Sequence, residues 1–299
     1  METALAAEVP RAALNGSSAT PTAAATRALK VESFGSTHMG RVRTTNEDQF
    51  VTATLMRALW IEQSSLQQAQ MHYGDDRGHV LIVADGMGGA HAGETASAVA
   101  VNAIEQFLLN ALRWLLTLHG SEEAEVLRDF KVALRNADAS VVAAAAGNPD
   151  LSGMGTTLTM AYSLGTDLFV AHVGDSRCYL YRGGELHQLT RDHTLVGELV
   201  QKGLIQPEDA GEHPYRHVIT NVVGGPKAGL HAEVHRVTLE AGDLILTCTD
   251  GLTGMVTDAQ IATVLQGAAT PRAASEELVR LALEHGGRDN VTVVVARYS

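Results

Sequence analysis

The stretch Val80-Leu81-Ile82-Val83-Ala84-Asp85-Gly86-Met87-Gly88-Gly89 sets the reading of this chain. A run of β-prone apolar residues reads as a buried strand, and Asp-Gly at its end places a carboxylate where the chain turns out of the core. Leu244-Ile245-Leu246-Thr247-Cys248-Thr249-Asp250-Gly251 repeats the pattern much later. Gly174-Asp175-Ser176-Arg177 and Arg288-Asp289-Asn290 set two more aspartates beside apolar, strand-like runs. Carboxylates gathered at strand ends repel one another unless cations lie between them, and hard divalent ions such as Mg2+ or Mn2+ take oxygen ligands. The pattern points to a polynuclear metal site made of aspartates.

With 299 residues, 45% of them hydrophobic, the chain can bury a large core in one domain or at most two. A formal charge of −12 argues against a nucleic-acid partner, whose phosphates call for Lys and Arg. Cys178 and Cys248 are the only cysteines, each inside an apolar run and neither in a CxxC pair. They read as reduced core thiols of a reducing compartment. No apolar stretch is long enough to span a bilayer; Phe107–Leu118 comes nearest and carries Asn110 and Arg113. The N-terminus has no compact apolar segment behind a basic start. The expectation is a cytoplasmic chain, with neither nucleic acid nor membrane as partner.

Residues 1–30, rich in Ala, Ser, Thr and Pro, read as a disordered tail, and residues 31–299 as the folded domain. Strands are expected at 31–36, 48–54, 79–84, 156–163, 167–173, 176–182, 185–189, 231–238, 243–249 and 290–298. Gly183-Gly184 separates two of them by a tight hairpin turn. Helices are expected over Glu94–Leu118, over Glu122–Ala146 after a Ser121 cap, over Asp258–Gln266, and from Thr270-Pro271 to Gly286-Gly287. Hairpins cluster and helices come in pairs, which predicts an α+β fold of antiparallel sheets covered by helices rather than repeated βαβ units. Residues 55–78, Gln-rich and poorly patterned, read as an insertion whose plain form is a solvated hairpin extension. Residues 194–230 read as a short helix ending at Gly203, followed by a Gly/Pro-punctuated loop.

Two cations about 3.5–4 Å apart can share a water and bring its pKa towards neutrality. Asp85 is the natural bridge, because Gly86 lets its own carbonyl face a metal without a side chain in the way. Asp250 and Asp289 complete such a shell. A phosphoryl substrate would also need a fixed cation, and Arg43, in Arg41-Val42-Arg43-Thr44-Thr45-Asn46-Glu47-Asp48, can grip phosphate through paired hydrogen bonds. Its plain alternative is an ion pair with Glu47. Asp48, Asp192 and Glu122-Glu123 have ordinary capping or surface explanations, except that Asp48 sits within the Arg43 motif.

These motifs, in this order from Val31 to Tyr298, resemble the metal-dependent serine/threonine protein phosphatases of the 2C type, in their bacterial form. The resemblance rests on Arg43 with Asn46-Glu47-Asp48, Val83–Gly89 with Gly93-Glu94, and Gly155-Thr156-Thr157. It continues through Val173–Arg177, Leu189–His193, Thr249–Leu252 and Asp289–Thr292. It implies a four-layer α-β-β-α sandwich of two antiparallel sheets flanked by helix pairs. It implies Mn2+ or Mg2+, two ions in a core site and a third nearby, and a hydroxide bridging the two ions that attacks phosphorus with no covalent intermediate. By position, Asp85 bridges, Gly86 offers its carbonyl, and Asp250 and Asp289 hold one metal. Glu47 reaches the other through water, Asp175 holds the third ion with Asp250, and Arg43 binds the phosphate. The implied substrates are phosphoserine and phosphothreonine proteins, those of a serine/threonine kinase.

Met87 stands where some relatives carry a proton-donating His, so a metal-bound water is the expected donor to the leaving alkoxide, with His91 and His193 as candidate substitutes. Thr249 replaces the usual Ser, and Asn221 a common basic residue in the 194–230 segment, which resembles the family's flap beside the active site. Two other readings remain: a catalytically silent phosphoprotein-binding module, and a phosphatase dedicated to one signalling switch.

Overall fold

The computed structural model describes residues 29–63, 65, 71–88, 91–115, 123–225 and 229–299. The proposed tail up to residue 28, Gly89, the Ser121 cap with Glu122, and the expected helix end at 116–118 lie outside these residues. Val31–His38 (β1), Asp48–Trp60 (β2), Met71–Met87 (β3), Gly155–Thr156 (β4), Leu158–Leu164 (β5) and Asp167–Val173 (β6) come first among the strands. Arg177–Arg182 (β7), Glu185–Gln188 (β8), Val223–Gly224 (β9), Glu233–Thr238 (β10), Leu244–Cys248 (β11) and Val291–Tyr298 (β12) follow. They form a five-stranded sheet in the order β1-β12-β11-β7-β8 and a seven-stranded sheet in the order β10-β6-β5-β3-β4-β9, with β2 paired to β3. Every pairing is antiparallel.

The continuous apolar run of β3 has a direct cause. Val80, Ile82 and Ala84 point one way, into a core shared with Ala92–Leu115 (α1) and Glu123–Ala146 (α2). Leu81 and Val83 point the other way, against Leu180, Ile245, Val294 and Tyr298 of the second sheet. A strand covered on both faces has no polar side to alternate with. On the far face of the five-stranded sheet, Leu246, Val293 and Val295 pack on Ile261 of Asp258–Gly267 and Leu278 of Pro271–Glu284. Three apolar layers separate four layers of secondary structure, and the chain has the α-β-β-α sandwich architecture. Among the described residues no helix is long and apolar enough to cross a membrane.

Helix numbering continues with Leu195–Gln201 (α3), Asp250–Thr253 (α4), Asp258–Gly267 (α5) and Pro271–Glu284 (α6). Thr257 and Thr270 cap α5 and α6 with side chains that accept from Gln260 N and Ala273 N. Most expected boundaries fall within two residues of those observed, and the differences are local. The 55–78 insertion carries β2 out to Trp60 and starts β3 at Met71, with one register shift between Met56 and Ala58. Beyond Gly78, β3 keeps only β2 as a partner, so the ribbon projects from the sheet. Lys30, read from the sequence as part of the tail, exchanges both backbone hydrogen bonds with Ser299. The two-residue strand β9 has no signal in the sequence; it pairs with β4, Gly155 opposite Gly224. Gly183 and Gly184 both have positive φ, 60° and 93°, as the hairpin turn requires.

Phe130 of α2 is fully buried, its ring 5.8 Å from Tyr162 and 6.0 Å from Phe169. Phe130→Ala is expected to cost about 3–5 kcal/mol, measured by urea denaturation. A loss below about 1 kcal/mol would show that this helix layer does not depend on it.

Candidate active site

The register of β2 and β3 sets Asp48 directly opposite Asp85, at the end of the seven-stranded sheet. The Asp85 backbone is fixed on three sides: its N–H donates to Thr157 Oγ1 (2.9 Å), and its carbonyl accepts from Thr157 N and Thr156 Oγ1 (both 2.9 Å). Gly86 donates to the Glu47 carbonyl at 3.2 Å. A Cβ at Gly86 would overlap the Gly93 carbonyl oxygen, and one at Gly93 would lie 2.7 Å from the Glu47 carboxylate. Gly86 and Gly93 therefore let three segments meet: the Asp85 turn, the start of α1 and the Glu47 loop.

The second sheet brings its acids to the same place. Strand β11 ends at Cys248, and Asp250 opens α4, a helical turn where a plain turn was expected. A Cβ at Gly251 would overlap the Asn290 carbonyl, so the Asp250 and Asp289 segments touch through a glycine. Asn290 then fixes the Arg43–Asp48 loop. Its Oδ1 accepts from Glu47 N (2.8 Å), and its Nδ2 donates to the carbonyls of Met39 (3.0 Å) and Thr45 (2.8 Å). Arg43 Nη2 donates to Asp289 Oδ2 at 2.7 Å, so the ion pair read from the sequence with Glu47 is made with Asp289 instead. The Arg43 side chain is 53% exposed.

Asp48 is neither a cap nor a surface acid: it is 4% exposed, and one oxygen, Oδ2, accepts from Thr249 Oγ1 (2.9 Å) and Thr292 Oγ1 (2.7 Å). Burial, then repulsion from Asp250 and Asp289, raises its pKa to about 7 despite those bonds. Burial and then Asp250 push Asp175 up to about 8. Asp85 is raised well above the carboxylate range by burial and then by Asp48, Asp250 and Asp175. Asp250 is raised by burial and by Asp289. Burial also raises Glu47, against Arg43, which lowers it.

Asp48 Oδ1, Asp175 Oδ1 and Asp250 Oδ1 are buried with no hydrogen-bond partner. Acceptors of this kind, all oxygen and mutually repelling, fit hard divalent cations. With Asp289 turned to Arg43, the aspartate oxygens do not close into a set of three within 4.8 Å; among the described residues that spacing occurs only at His172, His193 and Glu233.

The candidate proton donors separate. His193 is pushed down to about 4 by burial and then by His231, which favours its neutral form near pH 7. His91 is exposed, in the left-handed region at φ 66°, with Nδ1 3.9 Å from Glu94 and its charge felt by Glu47. His217, unremarked in the sequence, acts on Asp250 from the 194–230 segment. Asp192 has the structural role expected of it, a two-pronged pair with Arg177 at 2.8 and 2.6 Å, and Glu123 pairs with Arg236 at 2.7 Å. Asn221 binds the His231 backbone.

These shifts predict how the cation-free protein responds to pH. Acids with folded pKa values above their unfolded ones stabilise the fold below the ordinary carboxylate range and lose that contribution as pH rises through the folded values. The melting temperature of protein stripped of divalent cations should fall between about pH 4 and pH 8, the window set by the ordinary carboxylate range and the raised values. Added Mn2+ should restore it most at the alkaline end. A melting temperature that rises over this interval would contradict the clustering of these acids.

Comparison with known proteins identifies the family. Residues 61–283 match the family model described as Protein phosphatase 2C. The chain is 35% identical over 220 residues to the serine/threonine phosphatase stp of Listeria innocua, covering 74% of this chain and 84% of that one. It is 40% identical over 223 residues to the serine/threonine protein phosphatase PstP of Mycobacterium tuberculosis, 73% of this chain but 40% of the relative's length. Among solved structures, the catalytic domain of PstP in complex with two manganese ions superposes with a TM-score of 0.70 at 33% identity, covering 90% of this chain and 99% of that one. The S. agalactiae serine/threonine phosphatase gives 0.71 at 31% identity, with 90% and 99% covered. This chain belongs to the protein phosphatase 2C family.

Proposed function

We propose that this chain is a protein-serine/threonine phosphatase, hydrolysing phosphoserine and phosphothreonine in proteins directly to inorganic phosphate. The observation that carries this reading is the set of buried, unpartnered carboxylate oxygens from Asp48, Asp175 and Asp250, together with an exposed Arg43 paired to Asp289. Asp85, the Gly86 carbonyl, Asp250 and Asp289 would hold a pair of Mn2+ or Mg2+ ions, with Glu47 acting through water and Asp175 at a third. Bound there, such ions would lower the pKa of water at the site and supply positive charge for the phosphoryl oxygens.

Arg43 orients the substrate phosphate. Its bond to Asp289 engages Nη2 alone, in a fork that carries five N–H groups. A water oxygen bonds to phosphorus in line as the P–O bond to the Ser or Thr oxygen breaks, and that oxygen takes up a proton. No side chain needs to become phosphorylated. Asp48 holds Thr249 and Thr292 in place, and so the ends of β11 and β12 that deliver Asp250 and Asp289. The substrates are those of a serine/threonine kinase, in a reducing compartment that keeps Cys178 and Cys248 as thiols.

Purified protein with Mn2+ should hydrolyse an aryl phosphate and a phosphothreonine peptide, and a chelator should stop it. Asp250→Asn should lower kcat at least about 100-fold. The same change should raise the melting temperature of the cation-free protein, because it removes one charge from a self-repelling cluster. Unimpaired turnover by Asp250→Asn would end the assigned role. Arg43→Ala should lower kcat/KM about 10- to 100-fold, read from steady-state kinetics on the peptide; an unchanged value would remove Arg43 from phosphate binding.

A further inference from the structure

The motif Leu189-Thr190-Arg191-Asp192-His193 is not used by this reaction scheme. His193 is 17% exposed, and its ring stacks on buried His172 with centroids 4.9 Å apart. His172, His193 and Glu233 bring three ligand atoms within 4.8 Å, a spacing that would suit a zinc-like ion if those atoms were spare. They are engaged instead. His172 Nδ1 lies 2.8 Å from Thr159 Oγ1 and its Nε2 2.9 Å from the Arg191 carbonyl, while Glu233 Oε2 accepts the Arg191 N–H at 3.3 Å. The cluster is a hydrogen-bonded framework, and its bonds lead to Asp175.

His193 is tied twice to Gly174. Its backbone N–H donates to the Gly174 carbonyl at 2.7 Å, and its Nδ1 accepts the Gly174 N–H at 3.0 Å. Gly174 has φ 114°, and a Cβ there would lie 2.5 Å from the Thr157 side chain, so the turn before Asp175 has little room to adjust. On its other side, the His193 carbonyl accepts from Thr220 N at 2.8 Å, and Asn221 Nδ2 lies 3.1 Å from the same Nδ1. Asn221 is oriented by His231: its Nδ2 donates to the His231 carbonyl (2.7 Å) and its Oδ1 accepts the His231 N–H (3.1 Å). With N–H groups facing Nδ1 from both sides, the ring proton belongs on Nε2.

We propose that His193 is a positioning residue that locks the Asp175 turn to the base of the 194–230 segment and thereby sets how tightly the Asp175 end of the site holds a divalent cation. This rests on the phosphatase reading only in taking Asp175 as a cation ligand. Removing outer partners of metal ligands typically weakens metal binding about 10- to 100-fold.

Asn at position 193 can place Oδ1 where Nδ1 stands, whereas Gln reaches only towards the Nε2 position. Amide hydrogen exchange of the cation-free protein and calorimetric titration with Mn2+ would compare wild type, His193→Asn, His193→Gln and Asn221→Ala. In His193→Gln, protection at residues 174–176 and 220–221 should fall together, and the weakest Mn2+ site should loosen about tenfold. His193→Asn should keep both properties, and Asn221→Ala should open 220–221 while Gly174 stays protected. Equal behaviour of the Asn and Gln variants, or unchanged protection at Gly174 in His193→Gln, would overturn the proposal. Should either His193 variant fail to fold, wild-type exchange decides: Gly174 and Thr220 amides opening with one common free energy support the lock, and independent opening refutes it. Turnover of aryl phosphate by wild type tests the phosphatase reading separately. A wild type without turnover but with coupled exchange would end that reading and leave the lock standing.

Discussion

Mutual repulsion among Asp48, Asp85, Asp175, Asp250 and Asp289 is the constraint to which the rest of this structure answers. Each raised pKa in the cluster has desolvation as its largest cause and neighbouring carboxylates among the others. Left to local preferences these groups would separate into water. They are held because the strands that carry them are clamped between three apolar layers, and a strand end cannot retreat without opening a layer. The stability of the sandwich is what keeps an unfavourable charge arrangement in place, a common trade between stability and activity.

Hydrogen bonds decide where inside that clamp each acid stands. Two sheets that only packed face to face could slide, but Asp48 of one sheet accepts from Thr249 and Thr292 at the ends of β11 and β12 in the other. Thr292 N also donates to Thr249 Oγ1 at 3.0 Å. Asn290 performs the matching task for the Arg43–Asp48 loop, satisfying three backbone groups with one amide. Glycines at 86, 93 and 251 then allow backbone to meet backbone where any side chain would hold the segments apart. Asp48, Asp175 and Asp250 each keep one buried oxygen without a hydrogen-bond donor, a state that an oxygen-ligated cation would satisfy.

The 194–230 segment leaves the sheet at His193 and returns through Thr220 and Asn221, joined at its base by the bridge between Thr194 and Ile219. Its short helix is capped by Thr194, whose side chain accepts from Gly197 N. Leu204, Tyr215 and Val218 remain exposed along it. The segment is thus secured at its base while these apolar side chains stay in solvent.

The sequence by itself determined where the strands run and which aspartates end them, because an apolar run stopped by Asp-Gly is a local pattern with a local physical cause. It also determined the hairpin at Gly183-Gly184 and the start of α6 at Thr270-Pro271, for the same reason. Only the tertiary structure decided that Asp48 is buried among the acids, that Arg43 pairs with Asp289 rather than Glu47, and that His193 is a neutral acceptor for the Asp175 turn. Those outcomes depend on partners about 19 to 246 residues away along the chain, such as Gly174 for His193 and Asp289 for Arg43. The two-residue strand β9 belongs with them, since it exists through pairing with β4 and not through any propensity of its own. Periodicity and turn chemistry report a residue's immediate neighbours; the charge and hydrogen-bond state of a side chain is set by whatever the folded core brings against it.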